Sequence, residues 1–175
     1  MREYDYIDED IVRLIKKVEK RQEKFNSERK YIYDEFSLIL QDDYTDMDEV
    51  QRYAKYPRLR RPSIIKVNGN TSFTLSMVKK KQDDLDVAYE NVKSAIKKDY
   101  GKSVFYEEGD IEIENSNIKW FEFKGFGFDG IFYSIFFFFD TKASRVLGTF
   151  QCPFSEYDIW KPKFMEIMYS IQLVK

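Results

Sequence analysis

Residues 118–154 read IKWFEFKGFGFDGIFYSIFFFFDTKASRVLGTFQCPF, and this stretch decides the fold. It divides into three runs, 118–128, 131–139 and 145–151, rich in the aromatic and β-branched residues that suit a pleated surface. Asp129-Gly130 predicts a hairpin between the first two runs. Asp140 to Ser144 predicts a polar loop before the third. Side chains alternate between the faces of a strand. Ile131, Tyr133, Ile135, Phe137 and Phe139 therefore share one face, and Phe132, Ser134, Phe136 and Phe138 share the other. Both faces are apolar, whereas a sheet with one wet face shows polar alternation. The run is too short for a membrane-crossing helix, which takes about 20 apolar residues.

Outward from these strands, the chain alternates helices and hairpins. Ile11, Leu14, Ile15, Val18 and Phe25 make a helical stripe over 8–25, with acidic residues in the first turn and a solvated basic face. Residues 30–40 read as one or two strands. Residues 47–55 form a short helix capped by Asp46 or Asp48 and stopped before Pro57. Asn68-Gly69 turns a hairpin between 63–68 and 71–78. Leu85, Ala88, Tyr89, Val92, Ala95 and Ile96 define a helix over 84–100 with Gly101 as its stop. Residues 103–107 and 110–114 read as two short strands about Glu108-Gly109. Phe164, Ile167, Met168 and Ile171 place a last helix over 161–173, with Pro162 in its first turn. Strands joined by short turns make an antiparallel sheet, and the fold class is α+β, the sheet flanked by helices.

The 175 residues suit one domain. We divide the chain into an N-terminal helical extension, 1–29, and an α+β domain, 30–175. With 29 basic and 31 acidic side chains the net charge is −2, giving no global pull toward nucleic acid or anionic membrane. The acidic start lacks a secretion-signal pattern. The single cysteine, Cys152, agrees with a reducing compartment, so a cytoplasmic location is expected. Cys152 has no base to activate it and reads as structural. There is no histidine, which excludes Ser-His-Asp and Cys-His catalysis and histidine metal sites. Asp42, Asp43, Asp46 and Asp48 lack the spacing and central glycine of a calcium loop, so turn and capping chemistry explains them better. No metal or cofactor is expected.

Two groups of residues are candidates for binding a partner. Tyr56, Arg58, Arg60 and Arg61 cluster around prolines, where arginine could grip phosphate or carboxylate, though no Gly-rich phosphate loop accompanies them. Phe132, Phe136 and Phe138 form the other group. The helices 84–100 and 161–173 are expected on one face of the sheet. That leaves the short 47–55 helix and the N-terminal helix for the other, so one face should be partly open to an apolar segment of another protein. Glu107, Glu108, Asp110, Glu112 and Glu114 raise a second possibility, a small-molecule-binding or hydrolytic protein using paired carboxylates. A third is weak nucleic-acid binding through the arginines and Lys79 to Lys81.

The chain also resembles the PsbP-like superfamily, which includes the photosystem II extrinsic protein PsbP, the yeast Ran-release factor and the bacterial DcrB-like proteins. The resemblance rests on FSLILQDDYTDM (36–47), NTSFTLSMVKK (70–80) with the helix after it, and residues 131–171 with Trp160, Phe164 and Ser170-Ile171 in order. It covers residues 30–175. It implies an antiparallel sheet flanked by helices, no enzyme active site, and action through binding other proteins, as an adaptor, chaperone or immunity-type protein.

Overall fold

The computed structural model describes residues 28–41, 43–57 and 61–175. The helix expected over 8–25 lies outside these residues. The described strands are β1 (Arg29–Ile32), β2 (Phe36–Ile39), β3 (Thr45–Asp46), β4 (Ile64–Asn68), β5 (Thr71–Lys79), β6 (Val104–Ile113), β7 (Ser116–Gly127), β8 (Gly130–Asp140), β9 (Ser144–Pro153) and β10 (Gln172–Leu173). The helices are α1 (Glu49–Lys55), α2 (Leu85–Asp99) and α3 (Tyr157–Tyr169). Seven strands form one antiparallel sheet in the order β3-β4-β5-β9-β8-β7-β6, and β1-β2-β10 form a second, smaller one. The α+β sheet read from the sequence is the one observed.

The aromatic runs occupy the middle of the large sheet because both of its faces are roofed. On one face, Tyr133, Ile135, Phe137 and Phe139 pack with Phe73, Phe150, Phe36 and Leu38 under Phe164, Ile167 and Met168 of α3. The small sheet closes the end of this face, with Phe36 edge-on to Phe139 at 5.0 Å. On the other face, Phe121, Phe123 and Phe138 pack beneath Tyr89 and Ile96 of α2. The two long helices thus lie on opposite faces, not on one as expected. The reason lies in β7: Phe121 and Phe123 present apolar surface on the side away from Phe137, and this surface needs a helix of its own.

Three local readings are corrected. Residues 104–113 form one strand. Glu108-Gly109 makes no turn, and a β-bulge between Phe105 and Glu108 absorbs the irregularity. The turn falls instead at Glu114-Asn115, where Asn115 takes φ 64°. The last helix starts at Tyr157, so Pro162 sits inside it. It ends at Ser170, whose hydroxyl donates to the Ile167 carbonyl (2.7 Å) and accepts the Ile39 N–H (2.8 Å). This bond ties the helix end to β2 and releases the chain into β10. Elsewhere Asp48 caps α1 by accepting the Gln51 N–H (2.9 Å), and Asp46 pairs with Lys66.

Candidate interaction surface

The β7–β8 hairpin closes at Phe128-Asp129, with Gly127 opposite Gly130 and Gly130 at φ 127°. Only glycine adopts that backbone without strain. Register places Phe126 opposite Ile131, Lys124 opposite Tyr133, and Val104 of β6 opposite Lys124. Residues directly opposite share a face, so these five stand on the α3 side of the sheet. The roof stops short of them. Helix α3 begins at Tyr157, whose ring lies 5.6 Å from Tyr133 and 5.1 Å from Phe154. Beyond it Phe126 is 44% exposed, Ile131 46% and Tyr157 42%, and Phe128 at the tip is fully exposed. The result is a largely aromatic patch at the hairpin end of a sheet whose central strands are sealed.

A buried carboxylate anchors the boundary between roofed and open sheet. Glu122 is 3% exposed. It accepts the Tyr133 hydroxyl, the Lys161 ammonium (3.0 Å) and the Glu107 N–H (3.3 Å). Lys161 also donates to Glu107 (2.7 Å). Burial disfavours the Lys161 ammonium, but its hydrogen bonds to Glu107 and Glu122 outweigh this and raise its pKa. Lys161 in turn holds the Glu107 carboxyl below its ordinary value, chiefly through its hydrogen bond. Burial, and then the neighbouring Glu122, push the Tyr133 phenol up. Each partner is charge-satisfied, so this network fixes the first turns of α3 to the sheet.

Strand alternation in β6 separates the acidic residues that lie together in the sequence. Glu107 points to the α3 side. Glu108 points to the α2 side, where it accepts the Tyr89 hydroxyl (2.6 Å) and pairs with Lys93. The hydrogen bonds from Lys93 and Tyr89 hold Glu108 below its ordinary pKa. Asp110 pairs with Lys119 at 3.2 Å. Carboxyls held low beside lysines are ionised at neutral pH and do not serve as general acids. Cys152 is buried, and burial pushes its thiol up to about 12.

The other residues singled out from the sequence fall elsewhere. Phe138 is buried, with Tyr89 edge-on at 5.7 Å. Phe136 stacks on Phe121 at 5.6 Å, and Phe132 meets Tyr100 and Phe123, each at 5.9 Å. Helix α2 and the residues after it therefore roof the face expected to be open. The apolar surface left uncovered belongs to the Ile131 set, at its hairpin end. Tyr56 is half-buried, and its carbonyl accepts the Arg61 side chain (2.7 Å) while the guanidinium lies 4.0 Å over the Tyr53 ring. Arg58 and Arg60 lie outside the described residues. Sequence reasoning missed Phe126, Phe128 and Tyr157, because a strand-end aromatic and a core aromatic look alike until the helix start is known.

At the far end of the sheet a cleft of about 630 Å³ opens between Glu35, Lys80, Asn115, Asp140, Lys142 and Lys175. Its walls are well anchored. Glu35 accepts the Thr141 and Ser144 hydroxyls, and Asp140 accepts two bonds from Arg145.

No family model matches the chain, and no curated protein does. Among solved structures the chain is similar to cyanobacterial PsbP (CyanoP) from Synechocystis sp. PCC 6803. The TM-score is 0.62 at 10% identity, over 83% of this chain and 91% of that one. The fold is PsbP-like. The chain is also similar to LpqN, described as involved in cell envelope biogenesis of Mycobacterium tuberculosis. It has a TM-score of 0.59 at 7% identity, over 86% of each chain. At these identities the PsbP-like likeness is one of fold. Among the described residues no helix is long and apolar enough to cross a membrane.

Proposed function

We propose that this chain is a non-catalytic protein-binding module, of the adaptor, chaperone or immunity kind, acting in the cytoplasm. Its recognition surface is the aromatic hairpin end, which receives an apolar segment of another protein. The observation that carries this reading is the exposure of Phe126, Phe128 and Ile131 together, at one end of a sheet whose central aromatics are covered. Contiguous apolar surface of this kind marks interaction sites, and large aromatics supply much of the energy where a partner covers them. The dispersal of the β6 carboxylates over two faces, with Glu107, Glu108 and Asp110 each held by a lysine, supports a non-enzymatic role.

The test is affinity capture from the native host with the wild-type chain and with a Phe128→Ser/Ile131→Ser double variant, read by quantitative mass spectrometry. A protein captured by the wild type should be lost from the double variant, at an unchanged melting temperature. Identical captured sets would overturn the reading.

The far-end cleft favours a second reading, a binder of a small polar molecule. Its volume lies in the range of ligand pockets, about 300–1,000 Å³. A melting-temperature screen against polar metabolites tests it. A hit whose shift disappears in Glu35→Gln would support this reading, and a screen without hits would remove it.

A further inference from the structure

The aromatic hairpin end carries an electrostatic sign as well as an apolar surface. Lys124 stands in the middle of it, between Val104 and Tyr133 on the flanking strands. Its ammonium lies 4.2 Å from the Phe154 ring centre and 5.4 Å from that of Phe126. The carboxylates nearest in register, Glu107 and Glu122, are taken up by Lys161. Among the described residues Lys124 has no carboxylate partner. Lys163, 4.4 Å over Trp160 further along α3, has none either. Three carboxylates lie near this end. Asp129 in the turn acts on Lys55, Glu156 accepts the Trp160 indole N–H (3.0 Å), and Asp158 in the first turn of α3 accepts the Ile159 N–H (3.1 Å).

An ammonium resting on aromatic faces keeps part of its donor capacity free. When an apolar partner covers it, water is removed and the local dielectric falls, so any charge brought against it counts for more. A carboxylate arriving among apolar side chains would pair with Lys124. A lysine or arginine arriving there would leave two like charges buried together. We propose that the segment bound at this surface is acidic and amphipathic, presenting aliphatic or aromatic side chains with an aspartate or glutamate among them. The proposal rests on the hairpin end being the recognition surface, and adds the sign of what it recognises.

A phage-displayed random peptide library selected on the full chain provides the probe. Enriched clones should carry Asp or Glu within an apolar run, and should weaken about tenfold, or about 1.4 kcal/mol, on Lys124→Glu. Lys124→Met should lose the acidic preference without inverting it, which guards against Lys124→Glu simply disturbing the fold. Enriched clones that are basic, or unaffected by both Lys124 variants, would overturn the proposal, as would a selection without enrichment. Clones that keep binding Phe128→Ser/Ile131→Ser would instead sink the choice of surface. Vesicles containing phosphatidylserine form a last arm. Partition of the chain onto them that needs both Phe128 and Lys124, with no peptide selected, would point to an anionic lipid surface and overturn the protein partner.

Discussion

On one face of β8, Phe137 lies across Gly148 of β9; on the other, Phe132 lies across Gly125 of β7. A Cβ built on Gly148 would stand 1.8 Å from the Phe137 ring, and one built on Gly125 would stand 2.2 Å from the Phe132 ring. The device is the same, a glycine vacated for a cross-strand aromatic. The surroundings differ. Phe137 is fully buried, stacked on Phe150 at 5.4 Å and closed in by α3. Phe132 is half-buried at the fringe of α2. One strand therefore carries a rigid core aromatic and a fringe aromatic with room to move. Residue type alone does not decide the difference; the position of the helix above it does.

The sharpest way to break this comparison is to put a charge into each face. Phe137→Asp and Phe138→Asp should both abolish cooperative unfolding in circular dichroism, because each places an unpaired carboxylate under a helix. If Phe138→Asp leaves the melting curve intact, the α2 side is open after all. Next in size is Lys161→Met. It leaves Glu122 buried without its cation, a loss on the order of 3 kcal/mol measurable by urea unfolding. The same variant should move acid unfolding to higher pH. Glu107 and Glu108 have folded pKa values below their ordinary 4.5. Their pairing therefore stabilises the fold fully above pH 4.5 and is lost as pH falls through the lower folded values. Without Lys161, the depression of Glu107 is relieved and the loss begins sooner. Smallest and most discriminating are the two glycines. Gly148→Ala should cost about 1–3 kcal/mol by overpacking. Gly125→Ala should cost less, because Phe132 can swing outward. Equal losses would mean that Phe132 is as confined as Phe137.

Much of the fold was legible because alternation and turn chemistry are local. The hairpins at Asn68-Gly69 and Asp129-Gly130, the α2 stripe and the three aromatic strands follow from residue spacing within a few positions. What was not legible depended on partners distant in sequence. The assignment of α2 and α3 to opposite faces depends on which side of β7 carries Phe121 and Phe123, and that is set by register with β8. The continuity of β6 runs through a bulge at Tyr106-Glu107, which leaves no signature in the sequence. The open surface was harder still. Phe126, Phe128 and Ile131 look no different in the sequence from Phe121, Phe123 and Ile135. Phe126 and Ile131 are exposed because α3 begins at Tyr157, and Phe128 because it sits in the turn.

The edge strand β6 also bears on how the domain comes apart. Its neighbours Glu107 and Glu108 point to opposite sides, so a single edge strand holds Lys161 of α3 and Lys93 of α2 at once. Edge strands are ordinarily the first elements to open in native-state fluctuations, and each opening usually frees one neighbour. Here the opening of β6 removes an anchor from both helical layers together. Amide protons in the first turns of α3 and in the middle of α2 should then exchange as one cooperative unit, although the two helices never touch and a whole sheet lies between them.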